Sequence, residues 1–376
     1  MIVVAGHVCL DVIPQVGGDV DLAPGRLVEA GPAALVPGGA VANVGTALLR
    51  LGERTTIVGA VGDDHFGGIL RSRLASVSDE LDLRLPTAAG SGTSYSIVID
   101  APGRDRTFLH HPGCNDAFEP GLIAAEVPTG ADVLHFGYPP LMARTYADGG
   151  AALAYEFAKL RAGGVTVSLD MAMPDPGGAS GKVKWRAFLA TVLPHVDVFL
   201  PSWDECWYML RGRAAAPEPA LPDLTEMGDE LLDMGPAVVG LKLGRHGLYL
   251  RTGARSRAAK VGRHGLPDGW TTREALSPNF EVTVRGTTGA GDATIAGFMA
   301  ALRRRKTLEE AATVASAVGA SCVEGPGAEA GVKSFEETMA RASGSWRRVG
   351  RSPEMGWFDD AASGLLLGPR DEGGEA

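Results

Sequence analysis

Cysteine is scarce in this chain. Four residues in 376, Cys9, Cys114, Cys206 and Cys322, are scattered without CxxC spacing. That argues against a disulfide frame or a zinc site and for reduced thiols in a cytoplasmic protein. Long apolar runs are missing as well. No stretch reaches the ~20 residues that span a bilayer, so no membrane association is expected. The N-terminus, MIVVAGHVCLDV, has no basic flank and no small-residue cleavage site, and it reads as a strand rather than a signal peptide. Basic charge is not in excess. Lys and Arg number 35 against 45 Asp and Glu, a formal net charge of −10. A polyanion-binding surface is therefore not expected, nor is a nucleic-acid partner, although a local anion site is compatible with this balance. No internal repeat is present. What remains is ordinary for a globule, 45% hydrophobic and 21% charged, and long enough for one large α/β domain or two smaller ones.

Along the chain, Ile2 to Ala5 reads as a first strand. Residues Val8 to Pro37 are rich in β-branched residues, Pro and Gly without helical periodicity, which predicts short strands joined by turns. GGAVANVGTALLRLG predicts a helix, with Val41, Val44, Leu48 and Leu49 on one face and Gly52 as its stop. TSYSIVIDAPGRDRTFLHH predicts a hairpin around Pro102-Gly103. Strands then alternate with helices: ADVLHFG, GVTVSLD, VDVFLPS and AVVGLKLG are continuous apolar runs, as in a parallel sheet covered on both faces. Two stretches look irregular, Arg211 to Thr225 and Gly262 to Asn279. After Ser343 the tail is Gly- and charge-rich. Trp346, Trp357 and GLLLG are candidates to dock part of it, and Asp371 to Ala376 is expected to be loose.

One motif carries chemistry by itself. In GTTGAGDATIAGF, residues Ile295, Phe298, Met299 and Leu302 form an apolar stripe, so a helix begins near Ala290. Gly289 and Gly291 then lie at its start and let a ligand approach unpaired backbone N–H groups, which makes an anion site. Asp292 sits in the same turn. Beside a phosphoryl group it is placed to accept a proton from an attacking hydroxyl, in a reaction that asks mainly for positioning and charge stabilisation. The structural alternative is a tight turn with Asp292 as a helix cap. Other glycine motifs fail: GGASGKVKW lacks the first glycine and the Ser/Thr of a P-loop, and Gly286, Gly289 and Gly291 do not fit dinucleotide-binding spacing.

A second motif supports the chemical reading. In PGGAVANVGTALLRLG, Gly38 and Gly39 precede a helix and Asn43 lies in its first turn, offering a donor and an acceptor to a polyol. Asp11 has two acceptor oxygens for a pair of sugar hydroxyls. Each also has a structural reading, as loop, cap or exposed turn acid.

Together, in order and spacing, these residues resemble the ribokinase-like, or PfkB, family of carbohydrate kinases from about Ile2 to about Glu336. GGAVANVGTALLRLG is similar to the family's first signature and TTGAGDATIAGF to its second. The resemblance implies an α/β fold, a doubly wound mostly parallel sheet with helices on both faces plus a small β-sheet lid. It places residues 1–7, 38–92 and 112–343 in the large domain, 8–37 and 93–111 in the lid, and 344–376 in a partly ordered tail. It implies ATP and Mg²⁺. Asp292 takes the catalytic base position, and Gly289, Ala290 and Gly291 the anion hole. Asp11, Gly38, Gly39 and Asn43 take sugar-binding positions, with Asn115 of HPGCNDAF as a weaker match. Lys242, Gly244 and Gly247 of KLGRHG take a nucleotide-binding loop, with Thr288 and Gly291 beside the phosphates.

Two departures stand out. Gly286 replaces the usual acid that helps bind a monovalent cation, which puts potassium activation in doubt. Ser202 replaces the Asn of the Asn-x-x-Glu motif, while Glu205 keeps its acid, which acts on Mg²⁺ through water. The expected activity is ATP-dependent phosphorylation of a hydroxyl on a small sugar or sugar-like molecule. The alternatives are a nucleoside kinase of the same fold, or a catalytically weak sugar- or nucleotide-binding regulatory protein. His110 and His111 lie on a lid strand with alternate faces exposed, so one of them could reach the substrate, although a surface strand position is the favoured reading. Exposed lid edges suggest a homodimer through the lids.

Overall fold

The computed structural model describes residues 1–18, 23–100, 107–212, 215–325, 330–350, 353 and 356–373. Among them the strands, in chain order, are β1 (Ile2–Gly6), β2 (Cys9–Pro14), β3 (Ala33–Gly38), β4 (Thr55–Val58), β5 (Asp82–Arg84), β6 (Tyr95–Ile99), β7 (Thr107–His111), β8 (Val133–Gly137), β9 (Thr166–Leu169), β10 (Val198–Phe199), β11 (Val238–Lys242), β12 (Leu248–Thr252), β13 (Glu274–Ser277), β14 (Phe358–Asp360) and β15 (Leu365–Leu367). Eleven of them form one sheet in the order β14-β15-β13-β12-β11-β10-β9-β8-β1-β4-β5. From β11 to β5 every neighbouring pair is parallel. From β11 to β14 every pair is antiparallel.

The apolar strands are buried on both faces because side chains alternate across the sheet. In β1, Val3 and Ala5 join one core with Leu134, Phe136, Phe157 and Phe188. Ile2 and Val4 join the other, with Val44, Leu48, Phe298 and Met299. That second core is roofed by the helices Gly39–Arg50, Ala290–Arg303 and Leu308–Val323. The first of these ends at Arg50, and Gly52 follows with φ 81°, as its sequence predicts.

The remaining four strands form a separate sheet, β3-β2-β6-β7. It carries Asp11 opposite Val36 in the β2–β3 pair and His110 opposite Ser96 in the β6–β7 pair. The Pro102-Gly103 turn of the expected hairpin lies outside the described residues. Val36, Phe108 and Leu109 of this sheet are exposed.

Three expectations from the sequence change. The span Arg211 to Thr225 is not irregular throughout, because one helix runs to Arg211 and another begins at Leu221, with Pro222 in its first turn where no amide donor is needed. The span Gly262 to Asn279 contains β13. Its strand signal is masked by Glu274, which is fully buried and accepts bonds from Thr225 Oγ1 (2.6 Å), Tyr249 OH (2.9 Å) and the Arg370 amide (2.8 Å). The tail after Ser343 supplies β14 and β15 to the main sheet, and Trp357 packs on Tyr249. Asp371 is not loose. Its carboxylate accepts from Arg273 Nε at 2.9 Å and from the Glu274 amide at 3.2 Å.

Candidate active site

Two helix starts meet at one carboxylate. The helix Ala290–Arg303 follows Gly289, whose φ of 73° is left-handed, and no side chain caps it. Its first-turn amides are therefore not taken up by a capping side chain. The Ala290 amide bonds to Thr287 O at 3.3 Å. The helix Gly39–Arg50 also starts without a side-chain cap, at Gly38. Asn43 is its fifth residue, just beyond the first turn where the sequence placed it. Asn43 Nδ2 donates to Asp292 Oδ2 at 2.9 Å. Tyr138 OH donates to both carboxylate oxygens, at 2.8 and 2.9 Å.

Asp292 is 3% exposed. Burial raises its pKa above the usual carboxylate range, and nearby Glu205 adds to the rise. Lys242 and the hydrogen bonds from Asn43 and Tyr138 pull the other way without cancelling it. Lys242 Nζ pairs with Asp170 Oδ1 at 2.7 Å. Burial alone would lower the Lys242 ammonium, but Asp170, Glu205 and Asp292 outweigh it and raise its pKa, so the lysine keeps its proton. Asp170 is fully buried, and its Oδ2 has no partner.

Two clefts open on either side of Asp292. The larger, about 890 Å³, is lined by Ser202, Lys242, Gly244, Gly247, Ala290 and Gly291. The smaller, about 820 Å³, is lined by Asp11, Gly39, Asn43 and Thr288. Tyr138, Glu205, Gly289 and Asp292 line both. Asp11 and Asn43 thus share a cavity with Asp292, although they come from different sheets and helices.

Some expected residues have other placements. Thr288 faces the smaller cleft, and Thr287 the larger. Gly38 lines neither, and a Cβ there would run into the Asp11 carboxylate. Asn115 is fully buried away from the clefts. Its Nδ2 donates to Val8 O at 2.9 Å and its Oδ1 accepts from the Val8 amide at 3.4 Å, so both ends of the amide tie the β1–β2 connection. Glu205 and Ser202 form a capping box: Glu205 Oε2 accepts from the Ser202 amide at 2.7 Å, and Ser202 Oγ from the Glu205 amide at 3.3 Å. The Gly286 amide bonds to Val323 O at 3.4 Å. His111 is exposed and His110 is turned inward, the alternation by which one of the pair could reach the substrate. Strand alternation puts His110 in the smaller cleft, where its Nδ1 lies 3.1 Å from Ser96 Oγ.

Sequence reasoning missed His7, Tyr138 and Asp170. A signal for them existed. Each directly follows a parallel strand, β1, β8 or β9. Ligands of open α/β sheets gather at the carboxyl ends of such strands. Tyr138 also has φ 66°, unusual for a residue with a side chain.

The family model of the pfkB family carbohydrate kinases matches residues 1–334. An uncharacterized sugar kinase of Archaeoglobus fulgidus is 26% identical over 292 residues, 76% of this chain and 97% of that protein. An ATP-dependent ribose-1-phosphate kinase of Halopiger xanaduensis is 27% identical over 323 residues, 84% of this chain and 89% of that protein. The structure of ribokinase from Giardia lamblia aligns with a TM-score of 0.70 at 17% identity, over 91% of this chain and 98% of the other.

Proposed function

This chain belongs to the pfkB family of carbohydrate kinases, and on that premise we propose that it transfers the γ-phosphoryl group of ATP to a hydroxyl of a small sugar or sugar-like acceptor. One observation carries the reading. A buried carboxylate, Asp292, stands where two clefts meet, beside an uncapped helix start.

The larger cleft fits a nucleotide triphosphate. Its wall combines open first-turn amides, the protonated Lys242 and the Gly244–Gly247 loop, where a Cβ at Gly244 would meet nothing within 4 Å. It also fits a hydrated Mg²⁺. Glu205 and the unpartnered Oδ2 of Asp170 lie on the same wall and suit an oxygen-seeking cation that keeps its waters. When bound, Mg²⁺ supplies charge neutralisation at the phosphates. Gly286 contributes no carboxylate to a monovalent cation.

In the smaller cleft, Asp11 and Asn43 hold acceptor hydroxyls. Asp292 orients the reacting hydroxyl and takes its proton as the hydroxyl oxygen bonds to phosphorus. The bond from that phosphorus to the bridging oxygen breaks, and ADP leaves with the electron pair. A carboxyl with a raised pKa is a stronger base than an ordinary aspartate, which suits this step. The amides of Gly289 and Gly291 face the charge on the transferring group, whereas the expected Ala290 amide is already given to Thr287 O. Tyr138 is a positioning residue that holds Asp292 between the clefts, and Asn43 does so through Nδ2 while its Oδ1 serves the acceptor.

Asp292→Asn tests the assignment. Turnover should fall at least ~10²-fold while ATP affinity stays near wild type. Near-full turnover in this variant would remove Asp292 from the mechanism.

A further inference from the structure

The smaller cleft has an unusual wall. His7 is 2% exposed and lines it, yet neither ring nitrogen has a protein partner. His110 reaches in from the lid with its ring 5.2 Å from that of His7. Its Nδ1 meets Ser96, but its Nε2 is buried and unpartnered. Two residues that line one cavity therefore carry three buried imidazole nitrogens with no protein partner. Leaving such groups unmatched is costly, and native structures rarely leave them so without a reason.

Gly39 packs directly against this histidine. A Cβ there would sit 2.5 Å from His7 Nδ1, so only glycine lets the ring keep its place on the wall. Gly39 also holds φ 85°, which other residues resist. Burial, helped by His110, pushes the His7 pKa down to about 3, so the ring is neutral at ordinary pH. A neutral imidazole offers one donor and one acceptor, as a sugar hydroxyl does. Neither ring supplies a counter-charge.

The rest of the wall has the opposite sign from what an anion needs. Asp11, Asp116, Asp175, Glu205 and Asp292 line the cleft, and among the described residues no lysine or arginine does. The larger cleft, by contrast, includes Lys242 and Arg245.

We infer that His7 and His110 determine acceptor specificity, binding the hydroxyls of an uncharged polyol in a cleft that rejects phosphorylated and carboxylated acceptors. This rests on the kinase reading for the identity of the bound molecule as acceptor. It departs from the ribose-1-phosphate relative, whose acceptor carries a phosphate.

The experiment pairs two measurements on the full chain. ADP formation is followed with D-ribose, D-fructose and adenosine, then with the phosphate esters of both sugars and with D-gluconate. Calorimetry on the Asp292→Asn protein follows binding of the same compounds without turnover. The expected result is that neutral acceptors bind and react while the anionic ones are at least ~10²-fold poorer in kcat/KM. Equal or better use of an anionic acceptor, or binding by none of the neutral ones, overturns the inference. Neutral compounds that bind without ADP formation by wild type would instead sink the kinase reading and leave the cleft's selectivity standing.

Two variants then test the residues. His7→Phe and His110→Phe should each raise the acceptor KM about tenfold, the loss of roughly one hydrogen bond. The KM for ATP should not change, and kcat should stay within about threefold. His7→Gln should recover part of the loss. His110 sits on the lid outside the main core, so its variant reports even if His7→Phe folds poorly. An unchanged acceptor KM in His110→Phe removes that residue from the assignment, and unchanged KM in both overturns it.

Discussion

The two glycine-led helix starts look alike in sequence and differ in what their glycines are for. At Gly38-Gly39 the space is already taken by the protein. A Cβ on Gly38 would strike Asp11, and one on Gly39 would strike the His7 ring and backbone. At Gly291 an added Cβ would meet only the Lys242 side chain, at the ordinary contact distance of 3.5 Å. The first pair makes close packing possible, so that β1, β2 and the helix Gly39–Arg50 can bring His7, Asp11 and Asn43 together. On the proposed function, the second motif leaves a helix start without a side-chain cap for a ligand. A glycine motif read from sequence does not say which of these it serves. The neighbours decide.

That contrast can be broken by experiment. Gly39→Ala should have the largest effect, on stability. It forces a side chain into a left-handed conformation and into contact with His7, at a cost of about 2–4 kcal/mol. A denaturant midpoint near wild type would show that the first motif has room after all. Gly291→Ala should do the reverse. Alanine is the better helix former by ~1 kcal/mol, so the midpoint should hold or rise. Turnover should drop about 10²-fold, because the methyl group stands before an amide meant for phosphate oxygens. Lost stability with retained turnover would make the second motif a packing device like the first.

Tyr138→Phe probes the point where the motifs join, with a smaller expected effect. The phenol donates to the ionised carboxylate and so lowers the Asp292 pKa. Without it the pKa rises further, and the base is protonated at a higher pH. The acid limb of the kcat profile should therefore move to higher pH, with turnover at its plateau reduced less than tenfold. An unmoved limb would mean that Tyr138 does not tune the base.

Much of the frame was legible in the chain. The parallel strands are long apolar runs, and both helices at the site carry an apolar stripe with a glycine at the start. Local pattern is enough for these, since burial on both faces or on one stripe leaves a periodic trace. Other features had no such trace. β13 carries a buried glutamate that is satisfied by Thr225, Tyr249 and the tail, three partners distant in sequence. Asn115 looks like a sugar ligand until its amide is seen bonded to Val8 at both ends. Glu205 reads from sequence as an acid that acts on Mg²⁺ through water, and the structure adds that it caps its own helix while lining both clefts.

The chain alone determined that a carboxylate would open a helix behind glycines, that strands and helices would alternate, and that the net charge would be negative. These follow from propensity, periodicity and composition, which act over a few residues at a time. Tertiary structure decided that Asn43 and Tyr138 would grip Asp292, that the His7 and His110 rings would meet on the wall of a cavity, and that, among the described residues, lysine and arginine would line one cleft and not the other. Those outcomes depend on which strand ends lie side by side, and they join residues more than a hundred positions apart, which no local pattern records.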